Sequence, residues 1–387
     1  MNYIFVSTGK YPDQHAAAIR HTTIAKAFSE LGHKVFFLVL TNQDWRNNEL
    51  YFDSVHFISI NNYNGKNIVL KVFNFFNSLI ELKKFIKKIS SDNKIESIVA
   101  YTIDNIVLEV LLLIARKRKI KIFHERTELP YVVGKTNSIL SKINYFIYLN
   151  FIVPQFNGIF LISDKLINFF RPYNKNTYKV LTVVDTKFFN KISKSKYDFP
   201  YLAYCGTMSG TKDGVPILIE SFAKLSSNFT DIYLLLIGNN LNKAAIKDTL
   251  DAIEFYKIQD KVVFTGHVER NEMPSLLGNA KLLLLSKPAN EQNSGNFPIK
   301  IGEYLATGIP VVVTKVGEIN NFITDGLNGF LADPDSVNSF YLKMKEALEN
   351  YDIAQVIGNN GKSVAKNIFE AKIQSHNMVV YINNNNK

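Results

Sequence analysis

The chain has 387 residues, enough for two or three domains, and its 47% hydrophobic and 20% charged residues exclude a wholly disordered protein. Its one cysteine, Cys205, excludes a disulfide framework within the chain and a multi-cysteine metal site. The net charge of +11 lies in the first half, because residues 1–190 hold 25 basic and 14 acidic residues and the remainder holds 20 of each. This asymmetry predicts an acidic partner for the first half, such as anionic lipid, a phosphorylated substrate or nucleic acid; a lysine-rich proteome is the alternative.

The first residues, Met1–Ser7, form an apolar run with no basic segment ahead of it, which is typical of a strand and not of a secretory signal. No apolar run reaches the roughly 18 residues of a spanning helix, because Glu109 and Asn150 interrupt the longest ones. We therefore expect a cytoplasmic protein and consider peripheral contact with the inner face of a membrane.

Short β-branched runs alternate with longer amphipathic stretches along the chain. In the first half the predicted strands are Tyr3–Ser7, Val35–Leu40, His56–Ile60, Ser97–Tyr101, Lys121–His124, Gly158–Ile162 and Tyr178–Val184. The helices predicted between them include Ala17–Leu31, Ile68–Ile89 and Asn105–Lys119. In the second half the predicted strands are Leu202–Cys205, Ile232–Ile237, Val262–Thr265, Leu282–Leu285 and Val311–Thr314. The predicted helices there are Val215–Leu225, Lys243–Phe255, Glu272–Leu277, Ile299–Thr307 and Ile319–Ile323.

This alternation predicts two doubly wound α/β domains with parallel sheets and a ligand cleft outside the carboxyl ends of their strands. The least periodic segment, Asn190–Pro200, is the predicted linker. We therefore expect an N-terminal domain over residues 1–189 and a C-terminal domain over 190–365, with residues from about 366 to 387 packing back on the first domain.

The loop after the strand that ends at Cys205 combines small residues, hydroxyls and a lysine: Gly206-Thr207-Met208-Ser209-Gly210-Thr211-Lys212. Small residues let the backbone approach a ligand closely, and Lys212 adds a positive charge, so the loop suits a phosphate or diphosphate. Its spacing fits neither a Walker loop nor the dinucleotide glycine fingerprint. A plain strand-to-helix turn with a solvated lysine is the alternative.

A second polar loop, Asn290–Phe297, leads into a helix with Pro298 near its first position. Loop amides and the helix dipole together favour an anion. Lys300 and Glu303 share one face of this helix, and the carboxylate of Glu303 can accept two hydrogen bonds from a vicinal diol such as a ribose. The alternative is an ion pair between these two residues on a solvated face.

These segments resemble the family 4 retaining glycosyltransferases (glycosyl transferases group 1). Gly206 and Lys212 have that family's glycine-to-lysine spacing, and Leu218–Phe222 continues the motif. Further matching segments follow in the family's order: Leu235–Gly238, Val263–Val268, Glu303–Val312 and Asp325–Phe330. The resemblance covers residues 200–350 and is looser in the first half, at Leu31–Val35 and Val184–Phe189.

The resemblance implies the GT-B fold, in which two Rossmann-like domains face a central cleft and the second binds a nucleotide-sugar donor. It implies that Lys212 contacts the diphosphate, beside Gly206 and Thr207, and that Glu303 holds the ribose. The main chain of Gly266, His267 and Val268 would hold the base, and the amides of Ser294, Gly295, Asn296 and Phe297 would help to hold the phosphates. No metal or further cofactor is implied, since fixed cations and helix amides neutralise the leaving diphosphate.

The chain departs from the family at two donor positions. Gly295 stands where the family often has a glutamate eight residues before Glu303, and Thr207 replaces an arginine. We therefore expect Lys300 or Glu291 to supply a missing polar contact.

In the first half, His124 follows a predicted strand, and the family often has a histidine near this position that contacts the donor sugar. The resemblance therefore implies a catalytic role for His124, with Lys212 and Glu303; a buried structural histidine is the alternative. Glu125 and Glu128 are candidates for acceptor contacts or a general base, and Arg20 is a candidate acceptor-side residue. The segment Lys66–Lys88 holds six lysines and one acid, which predicts an amphipathic helix that either lies on anionic lipid or packs on the sheet.

Together these features predict a metal-independent, retaining, hexosyltransferase-like enzyme that moves a sugar from a nucleotide-sugar donor to an acceptor hydroxyl. The expected acceptor is a glycan or a lipid-linked glycan in surface polysaccharide or glycolipid assembly. Two alternatives are a sugar-nucleotide 2-epimerase on the same fold and a non-catalytic binder of membrane or nucleic acid. The sequence contains no recognised nucleic-acid motif, so we expect no nucleic-acid partner.

Overall fold

The computed structural model describes residues 1–41, 43–45, 48–60, 68–130, 138–208, 210–238 and 246–385, without the side chains of residues 68, 210 and 211. The chain divides into two compact units. Unit 1 comprises Met1–Val183 and Ala371–Lys387, and unit 2 comprises Val184–Glu370. Ser209, in the predicted phosphate loop, and Lys66, at the start of the predicted lysine-rich helix, lie outside the described residues.

Unit 1 is built on an eight-stranded sheet with the order β3-β4-β2-β1-β5-β6-β7-β8. Its neighbours pair in parallel except for β3 and β4, which are antiparallel. The strands are β1 (Asn2–Ser7), β2 (Lys34–Val39), β3 (Glu49–Phe52), β4 (Val55–Ser59), β5 (Ile95–Ala100), β6 (Lys121–Arg126), β7 (Gly158–Leu161) and β8 (Thr177–Lys179).

The helices of unit 1 are α1 (Ala16–Glu30), α2 (Ile68–Asp92), α3 (Asn105–Arg118), α4 (Ile139–Ile147), α5 (Asp164–Phe170) and α14 (Ala371–Asn384). A π-helical turn, Tyr148–Ile152, continues α4 directly. Local chemistry sets several ends: Asp104 caps α3 by accepting from the amides of Ile106 and Val107, and Lys119 ends it in a left-handed conformation. The helix α14 packs against α1, and its Tyr381 ring contacts Phe123.

Unit 2 is built on a six-stranded, all-parallel sheet with the order β11-β10-β9-β12-β13-β14. The strands are β9 (Tyr201–Cys205), β10 (Tyr233–Ile237), β11 (Val262–Gly266), β12 (Leu282–Leu285), β13 (Val311–Thr314) and β14 (Phe330–Ala332). The helices are α6 (Gly210–Asp213), α7 (Val215–Ser226), α8 (Lys247–Phe255), α9 (Met273–Gly278), α10 (Glu291–Ser294), α11 (Ile299–Thr307), α12 (Val337–Glu349) and α13 (Tyr351–Val364). The apolar residues of β9, β10 and β12 are buried because both faces of the sheet are covered.

The predicted fold class, two Rossmann-like α/β units with parallel sheets, is confirmed. One predicted strand is shorter than expected, because β8 ends at Lys179 although the apolar run continues to Val184. Beyond β8 the carbonyls of Val180 and Leu181 accept hydrogen bonds from Arg20. The amide of Leu181 donates to the side chain of Gln374 in α14. At Val180 and Leu181, side chains therefore take the place of a strand beyond β8.

Within the described part of the chain, none of the helices has both the length and the apolar character needed to span a bilayer. The longest, α2, carries lysines along its C-terminal half.

Candidate functional site

The candidate site in unit 2 begins where β9 ends and the chain turns at Gly206. Gly206 has φ +150°, and a Cβ atom there would lie 1.7 Å from Lys300 Nζ. The neighbouring Gly238 has φ +143°, and its Cβ would lie 2.5 Å from the Gly206 carbonyl oxygen. A side chain at either position would displace its neighbours, so glycine is needed for this close approach. As a result, Lys300 of α11 lies directly over the turn that follows β9.

A buried carboxylate, Asp213 at the end of α6, organises the polar side chains of the site. It accepts a hydrogen bond from Thr207 Oγ1, and its Oδ1 lies 3.1 Å from Lys287 Nζ and 3.6 Å from Lys300 Nζ. Burial alone would raise the pKa of Asp213, but the two lysines and the hydrogen bonds outweigh burial and lower the pKa. Asp213 is therefore an ionised group that joins the loop after β9 to residues following β12 and to α11.

Lys287 follows β12 and is almost completely buried, with 4% of its surface exposed. Its ammonium group donates to the Asn293 side chain at 3.2 Å and to the Lys212 carbonyl at 3.3 Å. Burial and the nearby charges of Lys300 and Lys212 lower the pKa of Lys287. Asp213 acts in the opposite direction but does not outweigh them. Lys287 and Lys300 thus contact one carboxylate, and Lys212 lies close enough to Lys287 for its charge to act on that ammonium group. Lys287 was not predicted as a site residue, although its place at the carboxyl end of a strand is a usable signal.

Glu303 of α11 has a different partner from the one considered in the sequence. Its Oε1 lies 2.6 Å from Arg270 Nη1, whereas Lys300, three residues earlier, pairs with Asp213. Arg270 begins a 3₁₀ turn, Arg270–Glu272, after β11, and its guanidinium carbon lies 4.9 Å from the centre of the Phe188 ring. Arg270 was not singled out from the sequence, and it holds the Glu303 carboxylate in a fixed orientation.

The electrostatics of Cys205 indicate that these charges converge on the end of β9. Burial raises the pKa of the Cys205 thiol to about 11, with Lys300 and Arg270 lowering it and Glu303 and Asp213 raising it. The thiol therefore stays protonated near neutral pH and is not an activated nucleophile. Around this strand end, the lysines 212, 287 and 300 and Arg270 exceed the two carboxylates by two positive charges, which favours a dianionic ligand.

The second predicted loop uses most of its amides internally. Asn290 caps α10, and the Ser294 amide donates to the Asn290 carbonyl at 3.0 Å. The amides of Gly295 and Asn296 both donate to the Asn293 carbonyl. In this conformation the three amides already have hydrogen-bond acceptors, so they are not positioned for the predicted phosphate contact. The amides that could still bind a phosphate are those of Phe297 and the first turn of α11.

The side chains of this loop have separate roles. The Phe297 ring is fully buried and packs on Phe322 and Phe369, so it belongs to the core of unit 2. Glu291 is exposed at the first position of α10, and its carbonyl accepts from Ser294 Oγ. At Gly317, with φ +59°, a Cβ would lie 2.8 Å from the Asn293 carbonyl oxygen, so this glycine permits the loop to pack closely.

The predicted base-binding turn lies at the end of β11, beside the end of β10. Gly266 has φ +70°, and its carbonyl accepts from the Gly238 amide at 3.2 Å. His267 is largely exposed, with its Nε2 3.5 Å from Glu269 Oε1, and Val268 is half-buried. The main chain of this turn is therefore at the same edge of the sheet as Gly206.

In unit 1, His124 of β6 is fully buried, and both of its ring nitrogens have partners. Nδ1 lies 2.8 Å from the Ala100 carbonyl, so Nδ1 carries the proton and Nε2 accepts from the Tyr148 hydroxyl at 2.7 Å. The ring stacks on Phe156, and burial is the main cause that lowers the pKa of His124 to about 3. These contacts favour the structural alternative for His124 over contact with a sugar.

Arg20 and Glu125 form a buried ion pair in unit 1. Arg20 donates to Glu125 Oε1 through Nε at 3.1 Å and Nη2 at 2.9 Å, and also to two main-chain carbonyls. His21 Nε2 lies 3.4 Å from the other carboxylate oxygen. Burial raises the pKa of Glu125, and Arg20 opposes that rise. The pair holds α1 to β6, which favours a structural role over the predicted acceptor contact. Glu128 is half-buried.

Among the residues that the structure describes, no group of three or more His, Cys, Asp or Glu side chains is arranged to hold a metal ion.

Comparison with known proteins identifies the relatives of this fold. Residues 185–364 match the sequence model of "Glycosyl transferases group 1". The chain is 22% identical over 391 aligned residues to N-acetyl-alpha-D-glucosaminyl L-malate synthase of Bacillus anthracis, covering 96% of this chain and 94% of that protein. It is 25% identical to the capsular polysaccharide biosynthesis glycosyltransferase CapM of Staphylococcus aureus, over 49% of this chain and 47% of CapM. The chain spans less than half the length of CapM and of three further curated relatives.

Solved structures give the same fold over the whole chain. Anabaena Alr3699/HepE, solved in complex with UDP and glucose, superposes with a TM-score of 0.76 at 16% identity, covering 99% of both chains. Sucrose-phosphate synthase of Thermosynechococcus elongatus superposes with a TM-score of 0.72 over 98% of this chain and 97% of that one. The chain is therefore a GT-B-fold protein, and its second unit matches the sequence model of the group 1 glycosyl transferases.

Proposed function

We propose that this protein is a glycosyltransferase that moves a sugar from a nucleotide-diphosphate sugar to an acceptor hydroxyl with retention of configuration. The observation that carries this proposal is the excess of positive charge around the end of β9. Lys287 and Lys300 pair there with Asp213, and Arg270 pairs with Glu303. Lys212 adds its charge nearby, at the strand edge where ligands bind in doubly wound folds. HepE, which has the same fold, was solved with UDP and glucose.

In the proposed donor complex the diphosphate lies against Lys212, Lys300 and the first turn of α11. The Gly206 turn lets it approach the backbone, and the buried Asp213 and Lys287 hold the cationic side chains in place. Glu303, oriented by Arg270, accepts from the ribose hydroxyls. The turn Gly266–Val268 holds the base through its main chain. Glu291 and Ser294 border the donor sugar.

The proposed chemistry is a front-face substitution. As the bond between the anomeric carbon and the diphosphate oxygen breaks, the acceptor oxygen bonds to that carbon from the same side, and its proton passes to the departing phosphate. The fixed cations stabilise the negative charge that develops on the leaving group, so this chain needs no metal and no enzyme nucleophile. The neutral state of the Cys205 thiol is consistent with a mechanism that uses no enzyme nucleophile.

We further propose a glycan or a lipid-linked glycan as the acceptor and the inner face of a membrane as the place of action. CapM, one of the relatives, is named for capsular polysaccharide biosynthesis. The helix α2 exposes an apolar stripe with helical spacing, and five lysines lie on the same helix. The exposed residues of the stripe are Val69, Val72, Phe73, Phe76 and Ile80. An apolar stripe with flanking lysines is the pattern of a helix that lies in an anionic membrane interface.

The proposal is tested by incubating the full chain with nucleotide sugars and a panel of glycan acceptors and recording the anomeric proton of any product by NMR. We expect a product with the donor's anomeric configuration, and loss of turnover in Lys212→Ala and Lys300→Met without loss of folding. Lys224→Ala, at an exposed lysine of α7, is the matched control and should keep full activity. An epimer formed from donor alone would instead support a sugar-nucleotide epimerase, and an inverted product would contradict the front-face mechanism.

A further inference from the structure

The helix α4 turns a polar side towards the rest of unit 1 and an apolar side outwards. Asn144 accepts two hydrogen bonds from Asn105 Nδ2, at 2.9 Å on its main-chain oxygen and 2.7 Å on its side-chain oxygen. The Tyr148 hydroxyl, at the start of the π-helical turn that continues α4, lies 2.7 Å from His124 Nε2. A helix on the surface of a globular protein normally does the reverse and buries its apolar side.

The outward side of α4 consists of large apolar side chains. They recur at helical spacing and expose between 40% and 78% of their surface: Ile139, Leu140, Ile143, Phe146 and Ile147. Within α4, which the structure describes completely, no residue is buried. Phe151, in the π-helical turn, is exposed as well. We call these six residues the outer face of α4. An exposed apolar surface of this kind marks a contact with a membrane or with another protein.

The neighbouring helix α3 combines exposed apolar residues with a basic end. Ile106 and Leu113 are each about half exposed and, being seven residues apart, lie on one side of α3. Arg116 and Lys117, in its last turn, are exposed. Arg116 Nη2 donates to the Gln155 side chain, just after the π-helical turn, at 2.9 Å. The basic end of α3 therefore lies beside the end of the segment that α4 begins.

The charge around these helices distinguishes the possible occupants of the outer face. Residues 138–155 contain one charged side chain, Lys142, and no acid. Together, residues 68–130 and 138–155, which include α2, α3 and α4, hold 13 basic and 7 acidic residues. A symmetric dimer through this face would bring two positively charged surfaces together, which is unfavourable. An anionic bilayer has the opposite charge and also accepts the apolar side chains.

We propose that α4 lies in the interface of an anionic membrane, with its outer face among the acyl chains. Lys142 and the basic end of α3 then lie at the level of the headgroups. This inference goes beyond the stripe on α2, which belongs to the proposed function, because α4 can bind lipid whether or not α2 does and whether or not the chain transfers a sugar.

Contact through both helices would fix which side of unit 1 faces the lipid. The helix α3 packs against both α2 and the π-helical turn that follows α4. These helices connect parallel strands that follow one another in the same direction across the sheet, so they cover the same side of it. The carboxyl ends of the strands then lie at the border of the membrane-facing side, where an acceptor held in the membrane can reach them.

The insertion of α4 is tested by tryptophan fluorescence of the full chain. Trp45 is the one tryptophan of the sequence, so the wild type gives the background. Phe146→Trp places a reporter on the outer face, and Phe255→Trp, at an exposed phenylalanine of α8 in unit 2, is the matched control. With vesicles of phosphatidylcholine and phosphatidylglycerol that carry brominated acyl chains, we expect a blue shift and quenching for Phe146→Trp. The control and vesicles of phosphatidylcholine alone should give the wild-type background.

Sedimentation with the same vesicles measures the contribution of the outer face to binding. Replacing Ile143 and Phe146 with serine should weaken binding at least about tenfold, because the helix loses two large apolar side chains. The Tm should stay unchanged, since neither side chain is buried. Replacing Phe255 and Leu327, two exposed apolar residues of unit 2, with serine is the control and should leave binding unchanged.

Three results would overturn the proposal. The first is a wild type that does not bind anionic vesicles. The second is binding of the vesicles without quenching of Phe146→Trp, or with unchanged affinity in the serine variant. The third is a dimer of the wild type in light scattering that the serine variant abolishes, because a second copy would then be the occupant. Binding of nucleoside diphosphates, measured on the same samples, reports separately on the proposed function of unit 2.

Discussion

Replacing Asp213 with asparagine should destabilise unit 2 strongly, because Lys287 would then be buried without a counter-ion. Both partners are almost fully buried, at 2% and 4% exposure. Breaking a buried pair by removing one member costs about 3–5 kcal/mol, which for a unit of this size lowers the Tm by roughly 6–20 °C. Removing both charges, in Asp213→Asn combined with Lys287→Met, should recover part of this loss, since no buried charge is left unpaired.

The same substitution should change the pH dependence of stability. Burial already lowers the pKa of Lys287, and Asp213 is the influence that opposes it, so Asp213→Asn lowers this pKa further. Between the folded and unfolded pKa values of Lys287 the unfolded state binds more protons, so stability rises with pH there. In the variant this rise should start at a lower pH than in the wild type.

Scanning calorimetry between pH 6 and 9 measures both effects. Asp251→Asn, which removes an exposed carboxylate from an ion pair on α8, is the control and should leave the Tm unchanged. Two results would refute the reasoning: a wild-type Tm for Asp213→Asn at neutral pH, or a double variant that is no more stable than the single one.

Three further predictions concern other elements. Gly206→Ala should lower the free energy of unfolding in urea by about 1–3 kcal/mol, because residue 206 has a positive φ and the new Cβ would meet Lys300. An unfolding midpoint equal to that of the wild type would contradict the close approach of Lys300 to Gly206. Burial holds the pKa of His124 at about 3, against about 6.5 in the unfolded chain, so acidification from pH 7 to 4 should lower the free energy of unfolding by on the order of 3 kcal/mol through this residue. The stability of His124→Gln should therefore fall less steeply with pH. An equal dependence of stability on pH in the variant and the wild type would contradict this prediction. Replacing Phe73 and Phe76 with serine should abolish sedimentation with anionic vesicles and leave the Tm unchanged. If the variant still sediments with the vesicles, α2 is not the surface that contacts them.

The sequence predicts much of the fold because its alternating pattern is local. The helix Ile299–Thr307 has the predicted limits, since Pro298 and Gly308 mark its ends. The strands β3 and β14 were not predicted because they are only four and three residues long. The helix α13, Tyr351–Val364, was not predicted, because it lies beyond residue 350, where the family resemblance ends.

Much of the site could not be predicted from the sequence, because the side chains that pair with one another come from distant parts of the chain. Glu303 is held by Arg270 and Lys300 by Asp213, contacts that the spacing of three between Lys300 and Glu303 cannot reveal. Burial is equally hidden in the sequence: nothing around His124 distinguishes a residue that faces a ligand from one whose two nitrogens are bound by Ala100 and Tyr148.

The central claim is that the cationic end of β9 binds a diphosphate, and the affinity for nucleotides measures it most directly. The full chain is titrated with UDP, GDP, ADP and TDP and with the corresponding monophosphates, using the wild type, Lys300→Met and the control Lys224→Met. We predict that at least one diphosphate binds more tightly than its monophosphate, and that Lys300→Met weakens that binding at least about tenfold while Lys224→Met does not. Binding of no diphosphate by the wild type, or equal affinity in the wild type and Lys300→Met, would contradict the claim.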